Sequence, residues 1–176
     1  MRFSYDDLWL LSVSRDRSFS LYKRSAPGTL DFALVHHNEK AHTRIIWACA
    51  FTPDNLFFAT CSRDKTVKIW SLDKAAKLVS SLDFEDNVTA IDIAPKLLDD
   101  GRYIAVVGLE NGSLIALTGG GASSNWSVHS RVPKPLSHTA AVQRTVFRPD
   151  HPWQFASAGA DHHVRINSLS LSLNNL

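Results

Sequence analysis

The chain has 176 residues, 44% of them hydrophobic and 20% charged, with five Trp and nine Phe. These values exclude a disordered polypeptide and suit one domain with a sizeable core. A net charge of +2 permits an acidic or nucleic-acid partner and argues for neither.

The N-terminus, MRFSYDDLWLLSVSRD, places acids before a short apolar run and lacks a basic leader, so it does not read as a signal peptide. No apolar run approaches the ~18 residues of a membrane span, and a soluble intracellular protein is the expectation. The sequon Asn125-Trp126-Ser127 then has no use. Cys49 and Cys61 form no CxxC pattern and are too few for a disulfide framework. They read as reduced, half-buried strand residues.

The first element is SRDRSFSLY at 14–22, in which Asp16 stands six residues before Tyr22. The second unit, HTRIIWACAFTPDNLFFATCSRDKTVKIW, opens at His42 and places Asp64 six before Trp70. Four strands are predicted in it, near 45–51, 57–62, 67–72 and 77–82. The alternation in VKIW sets Val67 and Ile69 on one face. FTPD and, later, FRPD are turn chemistry, with Pro fixing φ and Asp capping the bend. The third unit, DNVTAIDIAPKLLDDGRYIAVVGLENG, has no His, carries a longer insertion in its first turn, and places Asn111 six before Leu117. The fourth begins at His138 and places Asp161 six before Asn167. Segments 23–41 and 118–137 are polar and rich in Pro, Gly and Ser, and read as loops around a fourth strand. GGGASS at 119–124 lacks the Lys-Ser/Thr ending and following helix of a phosphate loop.

The turn anchors Asp16, Asp64, Asn111 and Asp161 are 48, 47 and 50 residues apart, and His42 and His138 are 96 apart. A period of 45–50 residues made of short strands describes blades of a propeller. The fold class expected is all-β, a partial propeller of about three and a half four-stranded blades. Their approximate limits are 1–35 (partial, with only its second and third strands), 42–85, 86–132 and 138–176. Propellers close rings of about 4–8 blades, so the chain is expected to be part of a larger ring and to expose apolar sheet faces and edges.

The His42 position, the Asp64 turn and the closing Ile-Trp of VKIW resemble the WD40-repeat family. That resemblance implies a buried hydrogen-bonded chain of His42, Thr60 or Ser62, Asp64 and Trp70, repeated in the last unit by His138, Ser157 and Asp161. SRDRSFSLYKR followed by HTRIIWACAFTPDNLFFATCSRDKTVKIW, with HTAAVQRTVFRPD…FASAGADHHVRI at the end, is similar to the C-terminal part of the Elongator subunit 2 family. Likeness is weakest at about 71–135. It implies a non-catalytic scaffold, without cofactor, among the protein subunits of a cytoplasmic and nuclear complex that modifies wobble uridines of tRNA. Any tRNA contact is then expected to be indirect. The family's subunit holds two complete propellers, many more blades than this chain.

His, Asp and Ser in proximity suggest a catalytic triad, but these residues have structural posts in the repeat, and the His…Asp spacing occurs twice. No enzymatic activity is expected. The HH pairs His36-His37 and His162-His163 point to opposite strand faces and make poor chelators. The candidate partner-binding rim is Arg15, Arg63 and Glu110, each just before a turn anchor, with Arg44 and Trp47 at the start of the second unit. Arginines can pair there with carboxylates or phosphates, and Trp47 is the aromatic anchor. Arg15, Arg17, Lys23 and Arg24 at one blade, and Arg63, Lys65 and Lys68 at the next, form the basic patch that direct RNA binding would use, with Asp6, Asp7, Asp16 and Asp64 interleaved.

Overall fold

A computed structural model describes residues 1–26, 28–73, 75–120, 125–149 and 151–169. Fifteen strands form four antiparallel sheets among them. Sheet 1 holds β1 (Arg2–Phe3), β2 (Trp9–Val13), β3 (Phe19–Arg24) and β4 (Phe32–Asn38). Sheet 2 holds β5 (Ile46–Phe51), β6 (Phe57–Ser62), β7 (Thr66–Ser71) and β8 (Leu78–Asp83). Sheet 3 holds β9 (Val88–Ile93), β10 (Arg102–Leu109), β11 (Leu114–Gly120) and β12 (Ser127–Arg131). Sheet 4 holds β13 (Val142–Arg148), β14 (His151–Gly159) and β15 (Val164–Ser168). Each sheet is an up-and-down meander in chain order, joined by tight turns.

Sheet 1 corrects the expectation of two strands. The two-residue β1 pairs with β2 through Arg2 and Phe3, and β4 continues to Asn38, past residue 35. A two-residue strand carries no periodicity of its own; it is a strand because Leu10 and Leu11 offer a ladder to pair with. The reading of 119–124 as a loop and the end of the last unit at 170–176 fall largely outside the described residues, as does Asp150 of the FRPD turn.

Strand alternation sends neighbouring side chains to opposite seams. Between sheets 1 and 2 lie Trp9, Leu11, Phe19 and Leu21 against Phe51, Phe58 and Trp70. Between sheets 2 and 3 lie Ala59, Cys61, Val67 and Ile69 against Ile93, Ala105, Val107 and Leu117. Ile104, Val106, Leu114 and Ala116 meet Val142, Phe147 and Phe155 of sheet 4. Sheets 2 and 3 are thus covered on both faces, which is why β10 reads as the unbroken apolar run YIAVVGL. Cys49 and Cys61 are both buried outright, deeper than expected, and burial pushes the Cys49 thiol up to about 11.

Polar ties lock the seams. Tyr103 donates its hydroxyl to Asp54 at 2.5 Å, and the Tyr5 amide donates to Asn55 Oδ1 at 3.0 Å. The Phe147 amide donates to Asp92 Oδ2 at 2.8 Å. Arg131 grips Glu85 with both terminal nitrogens, at 2.5 and 3.0 Å.

Candidate functional site

The His–Asp elements come first, because their chemistry decides whether an active site is present. The stretch before β5 brings His42 over the β6–β7 turn. Its Nδ1 lies 2.9 Å from Asp64 Oδ2 and its Nε2 lies 2.8 Å from Thr60 Oγ1. Trp70 Nε1 donates to the same Thr60 oxygen at 2.9 Å. One set of proton positions satisfies the chain: indole N–H to Thr60, Thr60 O–H to His42 Nε2, and His42 Nδ1–H to the carboxylate. Asp64 also accepts the Thr43 amide at 2.9 Å and the Thr66 hydroxyl at 2.7 Å. Burial works to raise its pKa, but the bonds from Thr66 and Thr43 and the His42 contact outweigh burial and hold it at about 2. Burial also lowers the His42 pKa, against the pull of Asp64, so the imidazole is neutral at pH 7.

Thr60 takes the hydroxyl post for which Thr60 and Ser62 both qualified by sequence. Ser62 instead donates to the Arg44 carbonyl at 3.2 Å and accepts the Asp64 amide at 3.1 Å, closing the turn. In sheet 4, His138 Nδ1 lies 2.9 Å from Asp161 and its Nε2 2.9 Å from Ser157 Oγ. Burial would raise Asp161, but His138 and the amides of Thr139 and His163 hold it well below the usual carboxylate range. Asn167 occupies the Trp position, and its buried Nδ2 finds no partner. A buried amide left unbonded is destabilising. Asn167→Leu is therefore expected to raise stability by about 1 kcal/mol, read as a rise in urea midpoint at unchanged m-value.

Neither triad-like set offers an accessible nucleophile. The hydrogen bonds run in the order of a triad, but the Thr60 and Ser157 hydroxyls are sealed inside the sheets, 0% and 2% exposed. No substrate atom can reach them.

The rim residues occupy the turn end of the sheets. Arg15, Arg63 and Glu110 are exposed just before their turns, and Arg44 is exposed beside Arg63. Thr43, Arg44, Arg63, Asp64, Lys65 and Asn87 line one polar cleft of about 410 Å³ there. Among the described residues, none of Arg15, Arg17, Arg44, Arg63 and Lys65 makes an ion pair. Glu110 hydrogen-bonds the Asn87 side chain.

The basic patch expected at the first blade is divided. Lys23 and Arg24 end β3, five and more residues from the turn, and lie over the Trp9 and Phe32 rings. At about 3.3 Å per residue the strand separates them from Arg15 and Arg17 by most of the sheet height. Lys68 is likewise withdrawn, donating to the Ala41 carbonyl at 2.6 Å. Of the HH pairs, His37 bonds Ser20 at 2.9 Å while its neighbour His36 packs near the Phe19 ring, on the other face.

Trp47 sits differently from a rim side chain. The β5–β6 register shifts between Ile46 and Ala48, leaving Trp47 as the extra residue of a bulge. The same shift recurs at Thr89 on β9 and at Gln143 on β13. All three residues line one cavity of about 200 Å³ where the first strands of the sheets converge, with Arg2 and Arg144. Sequence periodicity did not reveal this set, because a bulge is a register fault visible only once strands are paired.

Residues 34–71 and 131–167 match the family described as WD domain, G-beta repeat. Over 98% of its length the chain is 37% identical to Elongator complex protein 2 of Danio rerio, covering 26% of that protein. It is 36% identical to Elongator complex protein 2 of Drosophila melanogaster over 98% of the chain and 23% of the relative. The protein of the same name from Arabidopsis thaliana is 36% identical over 94% of the chain and 22% of the relative. The chain thus spans about a quarter of the length of the curated relatives it matches. Four stacked meander sheets, the His–Asp turns and these matches together identify it as a WD40-repeat chain, related along nearly its whole length to a segment of Elongator complex protein 2.

Proposed function

We propose that this chain is a non-catalytic scaffold segment that binds protein subunits of an Elongator-type complex through the turn-end rim, each repeat from about 42–85 onward serving as one blade. The observation that carries the reading is the rim itself. Among the described residues, five cations on two adjacent sheets stand exposed without ion-pair partners, above the His42 imidazole and Thr60 hydroxyl that the fold has taken up. Such a surface suits an acidic protein face, with Arg15, Arg44 and Arg63 as its guanidinium contacts and Trp47 at the cavity beside them. Contribution to tRNA wobble-uridine modification is then indirect, in the cytoplasm and nucleus, through the subunits it holds.

The test uses the purified chain and purified Elongator subunits in a binding titration. The charge reversal Arg15→Glu/Arg44→Glu/Arg63→Glu is expected to weaken binding at least about tenfold while leaving the melting temperature unchanged. Binding to none of the subunits sinks the reading. If tRNA binds instead, with log affinity falling steeply against log salt, the rim serves RNA directly.

A further inference from the structure

The cavity where the first strands converge holds chemistry that neither the fold nor the rim uses. On β5, β9 and β13 the residue that follows the bulge lines it: Ala48, Ala90 and Arg144. Two of the three are alanines, so a space of about 200 Å³ stands beside one guanidinium. Arg2 of β1 lines the same space. Among the described residues Arg144 makes no ion pair, and Arg2 has only a loose one, 3.6 Å from Asp92 Oδ1. Asp92 does not line the cavity, and its Oδ2 accepts the Phe147 amide at 2.8 Å. Two guanidiniums therefore answer to one carboxylate, and a positive charge is left over. Thr145 also lines the cavity, is 2% exposed, and its hydroxyl has no partner among the described residues. A buried hydroxyl in that state calls for a hydrogen-bonding group beside it.

We infer that this cavity binds a phosphate group, held between Arg2 and Arg144 with the Thr145 hydroxyl beside it. A guanidinium fork matches phosphate oxygens two at a time. The two arginines stand on different sheets, so their donors approach from different directions. A tetrahedral group has an oxygen for each, whereas a planar carboxylate presents only two. Apolar walls such as Val13 and Ile91 lower the local dielectric and strengthen the attraction relative to open water. The free ion and a small phosphomonoester share this chemistry. The site is independent of the rim reading, since Arg15, Arg44 and Arg63 do not line the cavity.

Isothermal titration calorimetry of the 176-residue chain with inorganic phosphate and, separately, glycerol 3-phosphate tests this, in about 0.15 M NaCl to screen diffuse attraction. Saturable one-to-one binding is expected. Arg144→Gln is expected to weaken it at least about tenfold, and Arg144→Lys, which keeps the charge and loses the fork, by less. Ala48→Leu fills the space without touching a charge and is expected to weaken binding comparably; near-UV circular dichroism verifies the fold of each variant. Lys96→Gln removes an exposed cation of the β9–β10 loop, outside the cavity, and is expected to leave the affinity unchanged. Tighter binding of glycerol 3-phosphate supports the site and assigns it to a phosphorylated small molecule. Tighter binding of inorganic phosphate supports it equally and assigns it to the free ion. No saturable binding of either probe, equal weakening by Lys96→Gln and Arg144→Gln, or acetate bound as tightly as phosphate overturns the inference.

Discussion

Asp64→Ala is expected to lower the stability of the chain by about 3–5 kcal/mol, the summed cost of leaving the buried His42 N–H and the part-buried Thr66 donors unsatisfied at about 1–3 kcal/mol each. The carboxylate accepts from His42, the Thr43 amide, the Thr66 amide and the Thr66 hydroxyl. Its removal leaves the buried imidazole N–H and several donors unpaired, and frees the His42 ring on which Thr60 and Trp70 depend. At this chain length the loss corresponds to a fall in Tm of roughly 6–20 °C. Asp16→Ala is the matched control. The Asp16 carboxylate bonds within its own turn, to the Ser18 amide and hydroxyl, and its loss is expected to cost far less than that of Asp64. Equal effects at the two sites would show that the His42 chain adds nothing.

The same network sets an acid limit. Folded Asp64 titrates at about 2, below its ordinary 3.8, so the unfolded state binds the proton more readily. Its stabilisation is fully present above pH 4 and is lost as pH falls toward 2. The His42 pKa is also lowered from 6.5, which makes acidification below that value unfavourable to the fold in the same sense. Urea midpoints measured from pH 7 to pH 2 should decline, and Asp64→Ala should flatten the portion below pH 4.

Gly112→Ala is expected to be comparably severe, about 2–5 kcal/mol, although it adds one methyl group. Sheet 3 has no His–Asp element; its turn uses Asn111 Oδ1 to accept the Ser113 amide. Gly112 takes φ +87° there, and a Cβ would stand 2.2 Å from the His138 carbonyl oxygen. The left-handed backbone alone costs about 1–2 kcal/mol and the overlap adds about 1–3. The neighbour cannot retreat. The His138 amide is bonded to the Gly112 carbonyl at 3.0 Å, and its ring is held by Asp161 and Ser157. Gly101→Ala separates the two contributions, since Gly101 has φ +78° and open space where its Cβ would be. Thermal melts should place Gly101→Ala near the backbone cost alone. A Gly112→Ala protein no less stable than Gly101→Ala would remove the clash from the account.

Sequence by itself determined the repeat, because its signals are local. Asp or Asn at a tight turn, two-residue alternation and the six-residue run to Tyr22, Trp70, Leu117 and Asn167 are written within single hairpins. The four strands of sheet 2 were legible for that reason, as was the meeting of His42 with the Asp64 turn, which the WD40 resemblance implied. Everything set by pairing between strands or sheets was not. Thr60 and Ser62 share a face and differ only in their height along β6, so register alone chose Thr60. Arg15 and Lys23 are close in sequence and lie toward opposite ends of the sheet because an extended strand carries them apart. Trp47 leaves the rim for the central cavity through a bulge that its sequence does not announce. Val67 and Val164 hold the same repeat position, yet one is sealed and the other bare. Alternation reports that a strand has two faces; only the packing of whole sheets decides which of them meets water.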